Sequence, residues 1–369
     1  MPAADAVVVG GGVMGCGIAL RLAQAGVGVT VLERSIPGAE ASSAAAGILG
    51  PQLEAEGPGP FLELCLRSRA MYGAFAQELL ELSGIDVAYL ACGALRACLD
   101  EADGHRMEAA VAWQRALGLR AELLSGEEVR KLEPALAPAI TAAAYFPDDH
   151  QVDNRLLVRA LSMSAARAGV KFRTGYVRSL SIEGDHCTGV DLDGGPEPAG
   201  AVVVAAGSWT GLLSGVGLDP QTVRPARGQM VELSARLPPF SRVVAGDHGY
   251  LVPRRDGRVI AGSTMELVGF EKQVTAQGLA GILSLAVKLC PALAGAPVQQ
   301  TWAGLRPYTE DHLPILGAAP LRGLYLATGH FRNGILLAPI TARLIAELLL
   351  GKAPTVDLRP FRLERFRPR

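Results

Sequence analysis

Two groups of residues in this chain have the type and spacing to do chemistry. The first is Gly10-x-Gly12-x-x-Gly15, followed by the acid Glu33. Glycines so spaced let a strand turn tightly into a helix, let backbone approach a pyrophosphate, and let helix and strand pack closely. The helix N-terminus then offers free N–H groups and partial positive charge to phosphate. A carboxylate 18 residues past Gly15 (33 minus 15) can accept both hydroxyls of an adenosine ribose and would repel the 2′-phosphate of NADP. This is a dinucleotide grip; by itself it does not separate FAD from NAD. The second group is two late guanidiniums, Arg306 in Trp302-Ala303-Gly304-Leu305-Arg306-Pro307 and Arg332 in Gly329-His330-Phe331-Arg332-Asn333-Gly334. A guanidinium pairs bidentately with a carboxylate. In the apolar run around Arg306 a surface ion pair is the weaker reading; for Arg332 it keeps more weight.

The elements that must position these groups can be read from periodicity. Ala6–Val9 is a short β-branched run suited to a strand buried on both faces, and Val13–Gln24 has helical spacing ending at Gly26. Val27–Leu32 is a second buried strand. Ala201–Ala205 and Leu324–Ala327 repeat the buried-strand pattern, so the nucleotide-binding strands are scattered near 6, 29, 202 and 325. The expected fold class is therefore α/β: a discontinuous Rossmann-type domain (1–86, 150–220 and 304–369) plus a substrate domain (87–149 and 221–303) with a mainly antiparallel sheet and helices. Helices are expected at Leu62–Leu82, Asp100–Leu117, Ser125–Leu132 (where Ser125 and Glu128 make a capping-box pattern), Asn154–Ala168, Ala276–Leu289 and Asn333–Leu350. Residues 35–60 read as largely loop and Ile85–Leu99 as strand material. Further strands are expected at Val170–Phe172, Tyr176–Glu183, Gly228–Leu233, Gly249–Val252 and Val259–Ala261.

Bulk properties narrow the function. A chain of 369 residues allows about two domains. With 35 basic and 36 acidic residues it has no basic excess for nucleic acid. The six cysteines (16, 65, 92, 98, 187, 290) form no C-x-x-C pair and read as buried small hydrophobes in a reducing, cytoplasmic setting. No metal cluster, secretory leader or transmembrane run is expected. The arginine-rich end, Arg359–Arg369, reads as a solvated tail.

Three stretches bear on the cofactor. Ala41–Leu49 offers small residues and hydroxyls (Ser42, Ser43, Ala46, Gly47) that suit a loop lying along a flat ring. Val203–Trp209 ends a buried strand in a small-residue turn (Ala206, Gly207). Thr328–Pro339 joins a strand to a helix, so a second helix N-terminus can face the same ligand. With Arg227-Gly228-Gln229, Tyr250–Arg254, Gly262–Glu266 and the two arginine segments, these stretches follow one another from end to end in a familiar order. The chain resembles the D-amino-acid oxidase superfamily, and within it the glycine oxidases of the thiamine pathway.

That resemblance implies FAD, held without a covalent link. Sarcosine oxidases attach flavin through a cysteine in the region matching 302–312, and this sequence has none there. It implies cofactor contacts from Gly10, Gly12, Val13, Met14, Gly15, Glu33, Arg34, Ser42, Ser43, Ala46, Gly47, Leu49, Val177, Ala206, Gly207, Trp209, Gly329, His330, Arg332, Asn333, Gly334, Ile335 and Leu336. It assigns the substrate carboxylate to Arg306 with help from Tyr250, places Arg332 near flavin and substrate, and puts Met265 on the pocket wall, where an ordinary core methionine is nearly as good a reading. His248, two residues before Tyr250, is expected on the same strand face. His330 reads equally well as a packed histidine beside the flavin. The implied reaction is oxidation of a small amino acid or amine, with dioxygen as acceptor, by a homotetramer. Sarcosine, another N-substituted glycine or a small D-amino acid is the alternative to glycine, and a flavin-binding protein without turnover is the alternative class.

Overall fold

The computed structural model describes residues 4–99 and 101–366. Its first sheet has a parallel core in the order Leu324–Thr328, Gly195–Val204, Ala4–Val9, Val29–Glu33, Lys171–Thr174. Alternation along the strands explains why they read as continuous apolar runs. Val8 and Val203 face helices Val13–Gln24, Pro60–Ser83, Asn154–Arg167 and Gly334–Leu349. Val7, Val9, Val202 and Val204 face an antiparallel layer that supplies Leu180, Cys187 and Val190. Both faces are covered, as a parallel sheet requires.

The second sheet draws its strands from 94–146 and 224–308, ordered Val298–Tyr308, Arg224–Ser234, Arg258–Gly262, Gly249–Pro253, Val243–Gly246, Ala94–Cys98, Ala142–Phe146, Glu122–Ser125. All its neighbours are antiparallel except the Val243–Gly246 and Ala94–Cys98 pair. Helix Ala276–Leu289 packs on one face, and Glu101–Ala116 covers the other through Met107 and Val111.

Helix expectations hold within a residue or two, and the capping box at Ser125 and Glu128 forms with both bonds. Three readings change. Of Ile85–Leu99 only Ala94–Cys98 is strand, because Gly93 at φ +78° breaks the run; Leu90 makes a lone bridge to Gln151. The 11-residue strand Val298–Tyr308 gave no signal: its first half is polar and exposed, and Gly304 and Pro307 interrupt the second. The C-terminal segment is not a free tail as far as Phe366. Phe361 and Leu363 are buried, and Arg365 pairs with Asp311 at 2.6 Å; residues 367–369 lie outside the described ones.

Candidate active site

The two sheets meet along one deep cleft, lined from both. Two helices open onto it, Val13–Gln24 through Val13 and Met14, and Gly334–Leu349 through Gly334 and Ile335. In neither does the N-cap residue's side chain make a capping bond. Apart from the Val13 N–H, which Ser42 takes up, orphan N–H groups at both ends thus face the same space, as an anionic or electron-rich ligand requires.

Gly10 must be glycine. Its φ is +102°, and a Cβ would lie 2.5 Å from the Ala205 carbonyl oxygen of the neighbouring strand. Gly15 does not line the cleft; a Cβ there would lie 1.8 Å from the Gly10 carbonyl oxygen, so it sets the helix against the turn. Glu33 is already oriented, with Gly11 N–H donating to Oε2 (2.7 Å) and Ser35 N–H to Oε1 (3.0 Å). Arg34 lies 3.7 Å above the Trp209 ring and pairs with Glu40 at 2.5 Å.

The Ala41–Ile48 segment forms the cleft's central wall. Val13 N–H donates to Ser42 Oγ (3.0 Å), fixing the segment against the fingerprint helix. Buried Arg254, from the second sheet, donates to the Ala46 and Val152 carbonyls (2.7 Å each), and burial pushes its guanidinium down to about 10. Ser42, Ala46 and Gly47 line the cleft. Ser43 and Leu49 do not: Ser43 offers its carbonyl to Asn154 (3.1 Å), and Leu49 is fully buried on a two-residue strand paired with His150–Gln151.

The small-residue turns at 206–209 and 328–334 close the other wall. The Thr210 and Thr328 hydroxyls are 2.9 Å apart and tie the turns together. Ala206, Gly207, Trp209, Val177, His330, Gly334 and Ile335 reach the cleft. Gly329, Asn333 and Leu336 support it from behind: Gly329 takes φ +71°, Asn333 precedes the helix, and the Leu336 carbonyl accepts from Ser68 Oγ at 2.6 Å. Buried His330 bonds Thr341 (3.1 Å), and desolvation lowers its pKa to about 3, so the ring is neutral.

Arg306 stands at the seam between the sheets. Its guanidinium lies flat over Gly228, where a Cβ would be 2.1 Å from Nη1. It donates to Ser263 Oγ (2.6 Å) and the Thr264 carbonyl (3.2 Å). Both acceptors are neutral, and among the described residues no carboxylate pairs with it. Tyr250 lines the same cleft, its hydroxyl 3.6 Å from Met230 Sδ. Arg332 also lines it and pairs with Glu54 at 3.3 Å.

Two expected site residues lie elsewhere. His248 is exposed in the two-residue turn Asp247-His248 before the Tyr250 strand, so the shared face does not form. Met265 is 48% exposed and neither lines the cleft nor joins a core. Sequence reasoning missed Glu54, Ser263, Tyr176 and the supporting role of Gly228. Gly228 alone carried a signal, as a glycine inside an otherwise ordinary strand.

Fold and site fit FAD: two helix N-termini, a ribose acid held ready, and a cleft running from the fingerprint to Arg306. A model for FAD dependent oxidoreductases matches residues 5–348. A bifunctional ThiO/ThiG protein of Synechocystis sp. is 40% identical over 98% of this chain, which spans only 54% of that relative's length. The glycine oxidase of Geobacillus kaustophilus is 38% identical over 98% of this chain and 97% of its own. The crystal structure of that glycine oxidase superposes with a TM-score of 0.95 at 37% identity, covering 99% of this chain and 100% of the other. Among the described residues no helix is long and apolar enough to cross a membrane, and none group to hold a metal ion. The chain belongs to the FAD dependent oxidoreductase family, the D-amino-acid oxidase superfamily that its motifs resemble.

Proposed function

We propose that this protein oxidises glycine and similar small amines to the imine, which becomes glyoxylate and ammonia or passes on to thiamine thiazole synthesis. One observation carries the reading: Arg306, in the cleft, is a cation whose acceptors among the described residues are both neutral. FAD, when bound, supplies the two-electron acceptor for the substrate Cα–H and passes the electrons to dioxygen as hydrogen peroxide. The chain's own part is placement. Gly10, Gly12, Glu33, the Ser42–Gly47 wall and the two helix N-termini would hold the cofactor. Arg306 fixes the substrate carboxylate through a bidentate pair, and the Tyr250 hydroxyl, now weakly engaged with sulfur, can turn to add a second bond. No side chain is needed as a base on carbon, and neutral His330 adds no charge at the ring. A cytoplasmic homotetramer belongs to the same proposal; the tetramer rests on resemblance and the compartment on the cysteine pattern of the sequence.

Arg306→Ala tests the assignment. Losing a charged, bidentate contact of about 1.5–3 kcal/mol should raise the KM for glycine roughly 10- to 150-fold. Unchanged glycine kinetics would remove Arg306 from the site.

A further inference from the structure

Among the described residues three arginines line the cleft, and their partners differ. Arg34 pairs with Glu40, which also holds Lys272 at 2.8 Å. Arg332 pairs with Glu54. Arg306 has only neutral acceptors among the described residues. The cleft therefore presents a single uncompensated guanidinium among these three.

The Glu54–Arg332 pair has the features of a functional contact. It is partly open, with side-chain exposures of 23% and 46%, so it contributes little to stability. Yet Glu54 is held in place. Asp149, fully buried, accepts from Leu53 N–H (2.8 Å) and Gln52 N–H (3.4 Å), and Arg69 braces it at 2.8 Å. The Gln52 side chain donates to Gln114 (3.1 Å) and to the Arg120 carbonyl (2.9 Å). Glu54 N–H closes the turn onto the Gly50 carbonyl (3.2 Å). A rigid turn thus holds an acid in the cleft, and Glu54 Oε2 is a buried acceptor with no hydrogen-bond donor among the described residues. Its compensation is the Arg332 charge.

We infer that Glu54 is a specificity-determining residue: by neutralising Arg332 it leaves the cleft one site for a carboxylate and disfavours ligands that bring two. Neutralising Glu54 would free Arg332 to receive a second carboxylate, whereas in the wild type that group meets a fixed negative charge. The inference rests on the reading that Arg306 takes the first carboxylate.

The test uses FAD-loaded enzyme and two non-oxidisable probes, acetate with one carboxylate and malonate with two, followed by perturbation of the flavin absorbance. In the wild type acetate binds and malonate gains nothing from its second charge. Glu54→Gln, which keeps shape and removes charge, should raise the malonate-to-acetate affinity ratio about tenfold or more, the worth of one charge-assisted contact. Glu54→Gln with Arg332→Gln should return the ratio to the wild-type value. Arg332→Gln alone, which leaves Glu54 uncompensated, should lower it, and this variant decides the matter if Glu54→Gln does not fold. A ratio unmoved by Glu54→Gln, or a gain that survives loss of Arg332, overturns the inference while leaving Arg306 its role. Failure of acetate to bind the wild type overturns both.

Discussion

Gly228→Ala separates the position of Arg306 from its presence. Gly228 lies inside the long strand Arg224–Ser234, so alanine costs the backbone nothing there. The added Cβ, however, would stand 2.1 Å from Arg306 Nη1, 2.3 Å from Nη2 and 2.4 Å from Cζ. Ordinary contact begins at about 3.5 Å, so the guanidinium must move by roughly 1 Å or more. Its bonds to Ser263 Oγ and the Thr264 carbonyl cannot both survive such a move. A misplacement of about 1 Å in a positioning group costs roughly 100-fold in rate. We therefore expect kcat/KM for glycine to fall between about 10- and 100-fold, measured as peroxide release. The strand and its neighbours stay packed, so Tm should change by only a few degrees, on the order of 1 kcal/mol or less. A variant with full kcat/KM would refute the claim that Arg306 acts from this position. A variant that loses activity only by unfolding would show that Gly228 serves the strand instead.

Other outcomes follow from the same geometry. Glu33→Gln weakens the charged acceptor held by the Gly11 and Ser35 amides and the grip on ribose, so FAD should dissociate about tenfold more readily, read from free flavin fluorescence on dilution. Unaltered retention would count against the ribose role. His330 has a folded pKa lowered to about 3 by burial, against about 6.5 unfolded. Its contribution to stability is full above pH 6.5 and is lost as pH falls from there toward 3, because the unfolded chain takes up the proton first. His330→Asn should flatten the slope of stability against pH in that window by about 1.4 kcal/mol per pH unit, measured by denaturant titration. An unchanged slope would mean that the imidazole is not held neutral.

What was legible in the sequence depended on how local the signal was. The fingerprint, Glu33 and the helices with clear periodicity or capping sit where expected, because each is determined within a few residues. The seam between the sheets was harder to see. The strand carrying Arg306 pairs with residues 224–233 lying 65–84 positions away (308 minus 224 to 298 minus 233), and that pairing, not its own polar and glycine-containing sequence, makes it a strand. His248 was misplaced because alternation was counted across a turn: Gly246 and Gly249 pair across the hairpin, so Asp247 and His248 belong to neither strand. Glu54 was invisible because a Gly/Pro-rich stretch with acids reads as solvated loop, and only its ion pair with Arg332, nearly 280 residues on, shows its direction.

In the proposed function the cleft holds FAD and presents a small amino acid to it through Arg306. Anaerobic mixing of the yellow holoprotein with glycine, sarcosine and D-alanine tests this most directly. Glycine should rapidly bleach the oxidised flavin absorbance, and Arg306→Ala should need a much higher glycine concentration for half-maximal bleaching. A fully loaded wild-type protein that none of the three amines bleaches would contradict it.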